Sequence, residues 1–191
     1  IGRLKKEVLE SKIPGSMPIR LVAIDGHGGS GKTTLARILA KELNAEVLHT
    51  DDFASYDKPM DWWRRLVNEV FVPIQNGSEK LTYPRGAWYK DHQPDPVVDQ
   101  PVTPVVILEG VSSSRKEFRE YLAYSVWVET RKDICLERGI ARDLADNEAG
   151  KTKNEIVNDW EKWHANEDVY VAEHNPREYV DMIIDGTVQL Q

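Results

Sequence analysis

Gly26, Gly31, Lys32 and Thr33 stand at a spacing that suits the binding of a phosphate chain. The stretch Gly26-His27-Gly28-Gly29-Ser30-Gly31-Lys32-Thr33 fits the pattern G-x-x-x-x-G-K-[ST] at every fixed position. Glycines let a backbone fold around an anion so that successive N–H groups point inward. A helix starting at the end of such a loop adds the positive end of its dipole. Lys32 then reaches the β- and γ-phosphates as a mobile point charge, and the Thr33 hydroxyl ligates Mg²⁺. The run from Gly26 to Thr34 is therefore the candidate nucleotide site. A glycine-rich turn could match the pattern by chance, but the flanks argue otherwise. Residues 19–24 are short, apolar and partly β-branched, as a buried strand is. Residues 34–43 carry Leu35, Ile38, Leu39 and Leu43 at helical spacing.

Carboxylates follow at two further strand ends. Residues 46–50 read as a second strand running into Asp51 and Asp52, and residues 105–108 as a third running into Glu109 and Gly110. In open α/β folds the carboxyl ends of parallel strands face the ligand crevice. Asp51 and Asp52 are placed there for chemistry, though a turn or helix-cap aspartate is the ordinary use of such a position. Glu109 sits where a water-mediated Mg²⁺ ligand or a water-orienting carboxylate belongs in a phosphate-loop protein. Further on, Arg131, Arg138 and Arg142 lie close together, the last two one helical turn apart. Arginine forks suit phosphoryl oxygens. A solvated basic face paired with Glu137 and Asp143 would have the same spacing.

The elements that must carry these groups alternate. Residues 1–12 read as an amphipathic helix covering the sheet, separated from the first strand by a breaker cluster at 13–18. Residues 61–74 have helical spacing with Asp61 as N-cap. The stretch 81–104 is read as a long loop with five prolines and with Tyr83, Arg85, Trp88, Tyr89 and His92. Aromatic and charged groups together suit a flat, polar ligand, and long loops in compact domains tend to be functional. A short helix at 118–121, a strand at 124–128, helices at 130–143 and from 154 towards 170, and a last strand and turn at 179–186 complete the chain. The alternation predicts a parallel sheet covered on both faces. Trp160 and Trp163 are read as core.

Composition narrows the class. At 191 residues the chain suits one domain with a sizeable core. A net charge of -7 argues against a nucleic-acid partner. The single cysteine, Cys135, allows no internal disulfide and suits a cytoplasmic protein. No apolar stretch approaches the ~20 residues of a membrane span, so no membrane is expected. The leading helix could also serve contacts between copies, which leaves a homo-oligomer open.

Taken together these pieces resemble the uridine kinase/phosphoribulokinase family of phosphate-loop kinases. The resemblance rests on Gly26 to Thr33, Thr50-Asp51-Asp52-Phe53, Asp57-Lys58-Pro59, Leu108-Glu109-Gly110, the arginine-bearing stretch 136–143 and the terminal Tyr179-Val180-Asp181-Met182-Ile183-Ile184, in the family's order. It implies an α/β phosphate-loop NTPase fold with a mostly parallel five-stranded sheet, helices on both faces and a small lid at 131–153. It implies one kinase domain, with residues 52–104 as an acceptor-binding insertion. It also implies transfer of the γ-phosphoryl group of ATP, with Mg²⁺, to a hydroxyl of a small sugar-bearing molecule. Asp51 matches the base that faces the acceptor hydroxyl. Asp57 matches an aspartate that holds ribose hydroxyls, and Arg138 and Arg142 match lid arginines.

The chain departs from the uridine kinase pattern in four places, one of them a short segment between Asp51 and Asp57. Asp52 falls where the family more often has a small residue. Residues 81–86 read Leu-Thr-Tyr-Pro-Arg-Gly instead of carrying Pro-x-Tyr-Asp, with His92 displaced. Residues 144–152 lack Arg-Gly-Arg. The acceptor is thus expected to meet Asp52, Asp57, Tyr83, Arg85 and His92 without being identified by them. The catalytic set is Asp51, Lys32, Arg138 and Arg142, with Thr33, Glu109 and Asp51 around the metal. The competing reading is a non-catalytic nucleotide sensor, which would keep the loop but need no base or lid. A GTPase is disfavoured because neither Asn-Lys-x-Asp nor Asp-x-x-Gly occurs in the expected context.

Overall fold

The computed structural model describes residues 1–55, 60–86, 97–147 and 150–188. Its centre is a five-stranded, wholly parallel sheet in the order β2-β5-β1-β6-β7. The strands are β1 (Arg20–Asp25), β2 (Glu46–His49), β5 (Val105–Glu109), β6 (Tyr124–Glu129) and β7 (Met182–Asp185). The inner strands β1 and β5 are near-continuous apolar runs because both of their faces are covered. Alternate side chains divide between two cores. Leu21, Val106 and Leu108 point into a core shared with Leu48, Phe53, Trp62, Leu66, Phe71 and Tyr83. Val22, Ile24, Val105 and Ile107 point into the other, with Leu4, Val8, Leu35 and Leu39. These last four belong to α1 (Gly2–Glu10) and α2 (Lys32–Leu43), which cover that face as the spacing predicted.

Several expectations need correction. Residues 61–74 are helical from Trp63, not capped by Asp61. The N-cap is Trp62, and Asp61 instead accepts from Arg64 at 3.3 Å. The helix is also interrupted: α3 (Trp63–Leu66) passes through a π-helical turn at Val67–Phe71 into α4 (Val72–Gln75). The stretch read as a long loop contains an antiparallel pair, β3 (Lys80–Pro84) and β4 (Val97–Pro101), joined in register from Lys80–Pro101 to Pro84–Val97. Leu81 and Tyr83 alternate inward, while Pro84 and Pro101 end the strands, where a two-stranded ribbon tolerates a missing N–H. The residues between 86 and 97, with His92 among them, lie outside the described residues, as does Asp57.

Beyond β6 come α5 (Lys132–Ala145) and α6 (Lys153–His174), the latter opened by a capping box between Thr152 and Glu155. The last strand, expected from Tyr179, begins only at Met182, because Pro176–Tyr179 form a short helix, α7, that leads into β7. The short helix expected at 118–121 is a 3₁₀ turn at Lys116–Phe118. Among the described residues no helix is long and apolar enough to cross a membrane.

Candidate active site

The phosphate-loop sequence lies between the carboxyl end of β1 and the first turn of α2. It is a closed turn: the Ser30 N–H and the Lys32 Nζ both donate to the His27 carbonyl, at 3.0 and 2.8 Å. Gly29 adopts φ 79°, and a Cβ there would collide with the Cys135 carbonyl of α5, so only glycine fits between the loop and that helix. Burial raises the Cys135 thiol to about 11, which keeps it an inert, packed thiol.

β2, β5 and β1 lie side by side, and their register sets the next groups together. His49 of β2 pairs with Glu109 of β5, which pairs with Ile24 of β1. Glu109 is buried. One of its oxygens accepts from the Thr33 hydroxyl at 3.1 Å, and the other lies 2.7 Å from His49 Nδ1. Burial alone would push the Glu109 carboxyl up. The His49 hydrogen bond, the Lys32 ammonium and the Thr33 hydroxyl together outweigh it and hold the group below its ordinary value. The hydrogen bond to Glu109 correspondingly raises His49. Gly110, at φ 138°, lets the chain turn against Thr50, whose hydroxyl occupies the space a Cβ would need.

Asp51 and Asp52 sit in the 3₁₀ turn Thr50–Asp52 directly after β2. Solvent reaches Asp51, yet desolvation by the dense protein around it raises its carboxyl, with Glu109 adding to the rise and Lys32 opposing it. A carboxylate shifted towards neutrality beside a cation is the condition in which a base can take a proton. Asp52 faces the β3–β4 ribbon. It lies 3.1 Å from Arg85 Nε and accepts from the Tyr83 hydroxyl at 3.4 Å. Burial and then Asp52 raise the Tyr83 phenol, so it stays a donor. The structure therefore brings Asp52, Tyr83 and Arg85 together beside Asp51. Arg138 and Arg142, on α5, are engaged elsewhere. Arg138 donates to the Gly186 carbonyl at 3.0 Å, and Arg142 pairs with Asp143 at 2.9 Å and lies over the Trp160 ring.

A nucleotide with Mg²⁺ fits this donor set. Lys32 and the loop amides supply positive charge, and the Thr33 hydroxyl and an ionised Glu109 are hard oxygens 3.1 Å apart. Magnesium is commonly held by one or two such protein oxygens together with phosphates. Among the described residues there is no group of three or more His, Cys, Asp or Glu that could hold a metal by itself.

Sequence reasoning passed over two residues at this site. Asp25, fully buried at the end of β1, accepts from the N–H groups of Gly26, Ser112 and Ser114 and from the hydroxyls of Ser114 and Tyr170. It ties the loop to the segment after β5 and to α6. Glu167 of α6 accepts from the Gly28 N–H. The one signal for Asp25 was an acidic residue ending an otherwise apolar strand. Nothing in the spacing marked Glu167.

Comparisons with known proteins agree with this architecture. The model of the Phosphoribulokinase / Uridine kinase family matches residues 66–189, a span that begins beyond the phosphate loop and so is independent of that motif. A uridine kinase from Tolumonas auensis is 25% identical over 164 residues, covering 74% of this chain and 75% of that protein. One from Proteus mirabilis is 25% identical over the same length, covering 74% and 76%. Among solved structures, one from Bacillus stearothermophilus described as a "Possible Uridine Kinase" superposes with a TM-score of 0.65 at 23% identity, covering 96% of each chain. A candidate fructose transport system kinase from Silicibacter sp. TM1040 gives 0.60 at 22%, covering 95% of this chain and 97% of that one.

Proposed function

Because the chain belongs to the phosphoribulokinase/uridine kinase family, we propose that it is an ATP-dependent kinase acting on a hydroxyl of a small sugar-bearing metabolite, a nucleoside or a similar molecule. The observation that carries this reading is the meeting of three strand ends: Lys32 and Thr33 after β1, Asp51 after β2, and Glu109 ending β5. The curated relatives described as uridine kinases support the same class of acceptor.

In this reading Mg²⁺-ATP supplies a transferable γ-phosphoryl group whose charge the metal partly neutralises. The loop amides and Lys32 bind the phosphates, Lys32 exchanging the His27 carbonyl for a phosphate oxygen. Thr33 and Glu109 would hold the metal, and the Asp51 carboxyl, which feels the charges of both Lys32 and Glu109, would contribute. Asp51 orients the acceptor hydroxyl and takes its proton. Asp52, Tyr83 and Arg85 line the acceptor side; Asp57 is assigned there by resemblance, and His92 as part of the stretch 81–104 whose aromatic and charged groups suit a flat, polar ligand. Arg138 and Arg142 belong to a lid over residues 131–153. To act on the transferring group they exchange their present partners for phosphate oxygens when the lid closes, which also excludes water.

The test is acceptor-dependent ATP consumption with Mg²⁺ over a panel of nucleosides, sugars and vitamin precursors. Lys32→Ala and Asp51→Asn should each lower turnover by roughly a thousandfold or more while the circular dichroism spectrum stays that of the parent. Full activity in Asp51→Asn removes Asp51 as the base. ATP binding with no turnover on any acceptor overturns the kinase reading in favour of a nucleotide sensor.

A further inference from the structure

The phosphate loop is held from outside as well as by its own turn. Glu167 is buried on α6 and lies 139 residues from Gly28 in the chain. Its two oxygens are 3.2 and 3.1 Å from the Gly28 N, and the second is 3.1 Å from His27 Nδ1. His164, one turn earlier, brings Nε2 to 3.3 Å from the Gly28 carbonyl. Trp160, a further turn back, covers the same residue so closely that a Cβ on Gly28 would lie 2.9 Å from the ring. Trp160, His164 and Glu167 are spaced i, i+4, i+7, so one face of α6 is pressed against the loop's outer turn.

This arrangement has an electrostatic cost. It sets a carboxylate on a loop whose amides serve an anionic nucleotide, and like charges close together repel. What offsets it is conformational. Four of the six loop residues 26–31 are Gly26, Gly28, Gly29 and Gly31, and glycine loses more freedom on being fixed than any other residue. A loop ordered before the ligand arrives spends less of its binding energy on ordering. An acceptor for the Gly28 N–H and a partner for the His27 ring, both supplied by a rigid helix, order that turn.

We propose that Glu167 is a positioning residue: through the Gly28 N–H and the His27 ring, α6 pre-sets the phosphate loop for the nucleotide. The inference rests on the kinase reading above, since it assigns ATP to the loop. It extends that reading by coupling the loop to a helix that follows the lid segment. Nucleotide binding and the packing of α6 thereby become one equilibrium.

The experiment measures Mg²⁺-ATP binding by calorimetry in the full chain, with Lys32→Ala as the control, alongside steady-state kinetics. Glu167→Gln keeps an oxygen that accepts the Gly28 N–H and should bind ATP within about threefold of the parent. Glu167→Ala leaves that N–H without its acceptor and should weaken binding about tenfold or more, with KM for ATP rising more than kcat falls. A merely structural role would reduce the active fraction and leave the Kd of the folded protein unmoved. Equal losses in both variants, an unchanged Kd in Glu167→Ala, or tighter binding in both would overturn the proposal. The parent protein gives a measurement independent of whether Glu167→Ala folds: amide exchange over residues 160–170 should slow when ATP is added, and unchanged exchange overturns the coupling. Failure of the parent to bind ATP would overturn the kinase reading and this inference with it. ATP binding that is indifferent to residue 167 would overturn this inference alone.

Discussion

Asp25→Asn is the sharpest test of what holds the site's scaffold. The Asp25 carboxylate is fully buried and is met by five uncharged donors. Oδ1 accepts from the N–H groups of Gly26 at 2.7 Å and Ser112 at 3.0 Å. Oδ2 accepts from the Ser114 N–H at 2.9 Å, the Ser114 hydroxyl at 2.6 Å and the Tyr170 hydroxyl at 2.6 Å. An asparagine must turn one of these oxygens into an NH₂ group. If the amide faces Gly26 and Ser112, it meets two backbone donors that cannot reverse. If it faces the other side, it meets one such donor and two hydroxyls that can rotate and accept, so this orientation is the cheaper. The cost is then one charge-assisted bond lost with its N–H left buried, and two more bonds weakened. Hydrogen bonds to charged groups contribute about 1.5–3 kcal/mol each, and an orphaned buried donor costs a comparable amount. The sum is about 3 kcal/mol after the hydroxyls reorient. For a chain of this size that lowers Tm by roughly 6–12 °C. Urea unfolding followed by far-UV circular dichroism should show a lower midpoint with an unchanged slope. A loss below about 1 kcal/mol would refute the reasoning, because it would mean that these donors find equivalent partners without the carboxylate.

Two further perturbations test other contacts. Gly139→Ala puts a methyl group into the Trp160 ring across the α5–α6 interface. Alanine's helix preference recovers about 1 kcal/mol, but the ring is fixed by its hydrogen bond to Asp143 at 2.7 Å, so the overlap should still leave the protein about 1–2 kcal/mol less stable; equal or greater stability in urea would show that the ring gives way freely. Burial, and then the Arg115 guanidinium, hold His174 below its ordinary value. The unfolded chain thus binds a proton first, and this contribution to stability is present above the ordinary histidine range and lost as pH falls through the folded value. The parent should therefore lose stability relative to His174→Asn as pH falls through the histidine range, the amide oxygen of the variant still accepting the Lys116 N–H; parallel pH profiles would show that His174 does not carry the effect.

Local chemistry made much of the protein legible. The phosphate loop needs glycine, lysine and threonine at fixed spacing, and residues 19–24 and 105–108 are apolar enough that only burial in a covered sheet suits them. Glu109 is legible as the residue that ends such a strand. The β3–β4 ribbon was missed because its prolines outweighed a short alternation at Lys80–Pro84. The interrupted helix α3–α4 was read as continuous because spacing reports a face, not the hydrogen-bond pattern beneath it.

By itself, then, the sequence determined the strand–loop–helix that can cradle phosphates, the alternation that makes a parallel sheet, and the strand-end acids. All of these follow from periodicity and from neighbours in the chain. Tertiary structure alone decided which distant groups meet. β2 and β5 are neighbours, so His49 braces Glu109. β1 ends beneath the segment after β5, so Asp25 gathers Ser112 and Ser114. α6 crosses the loop, so Glu167 reaches Gly28. Each is a polar contact between residues far apart in the chain, each partner satisfying groups that burial would otherwise leave unpaired. Such pairings depend on strand order and helix placement, which no local spacing records.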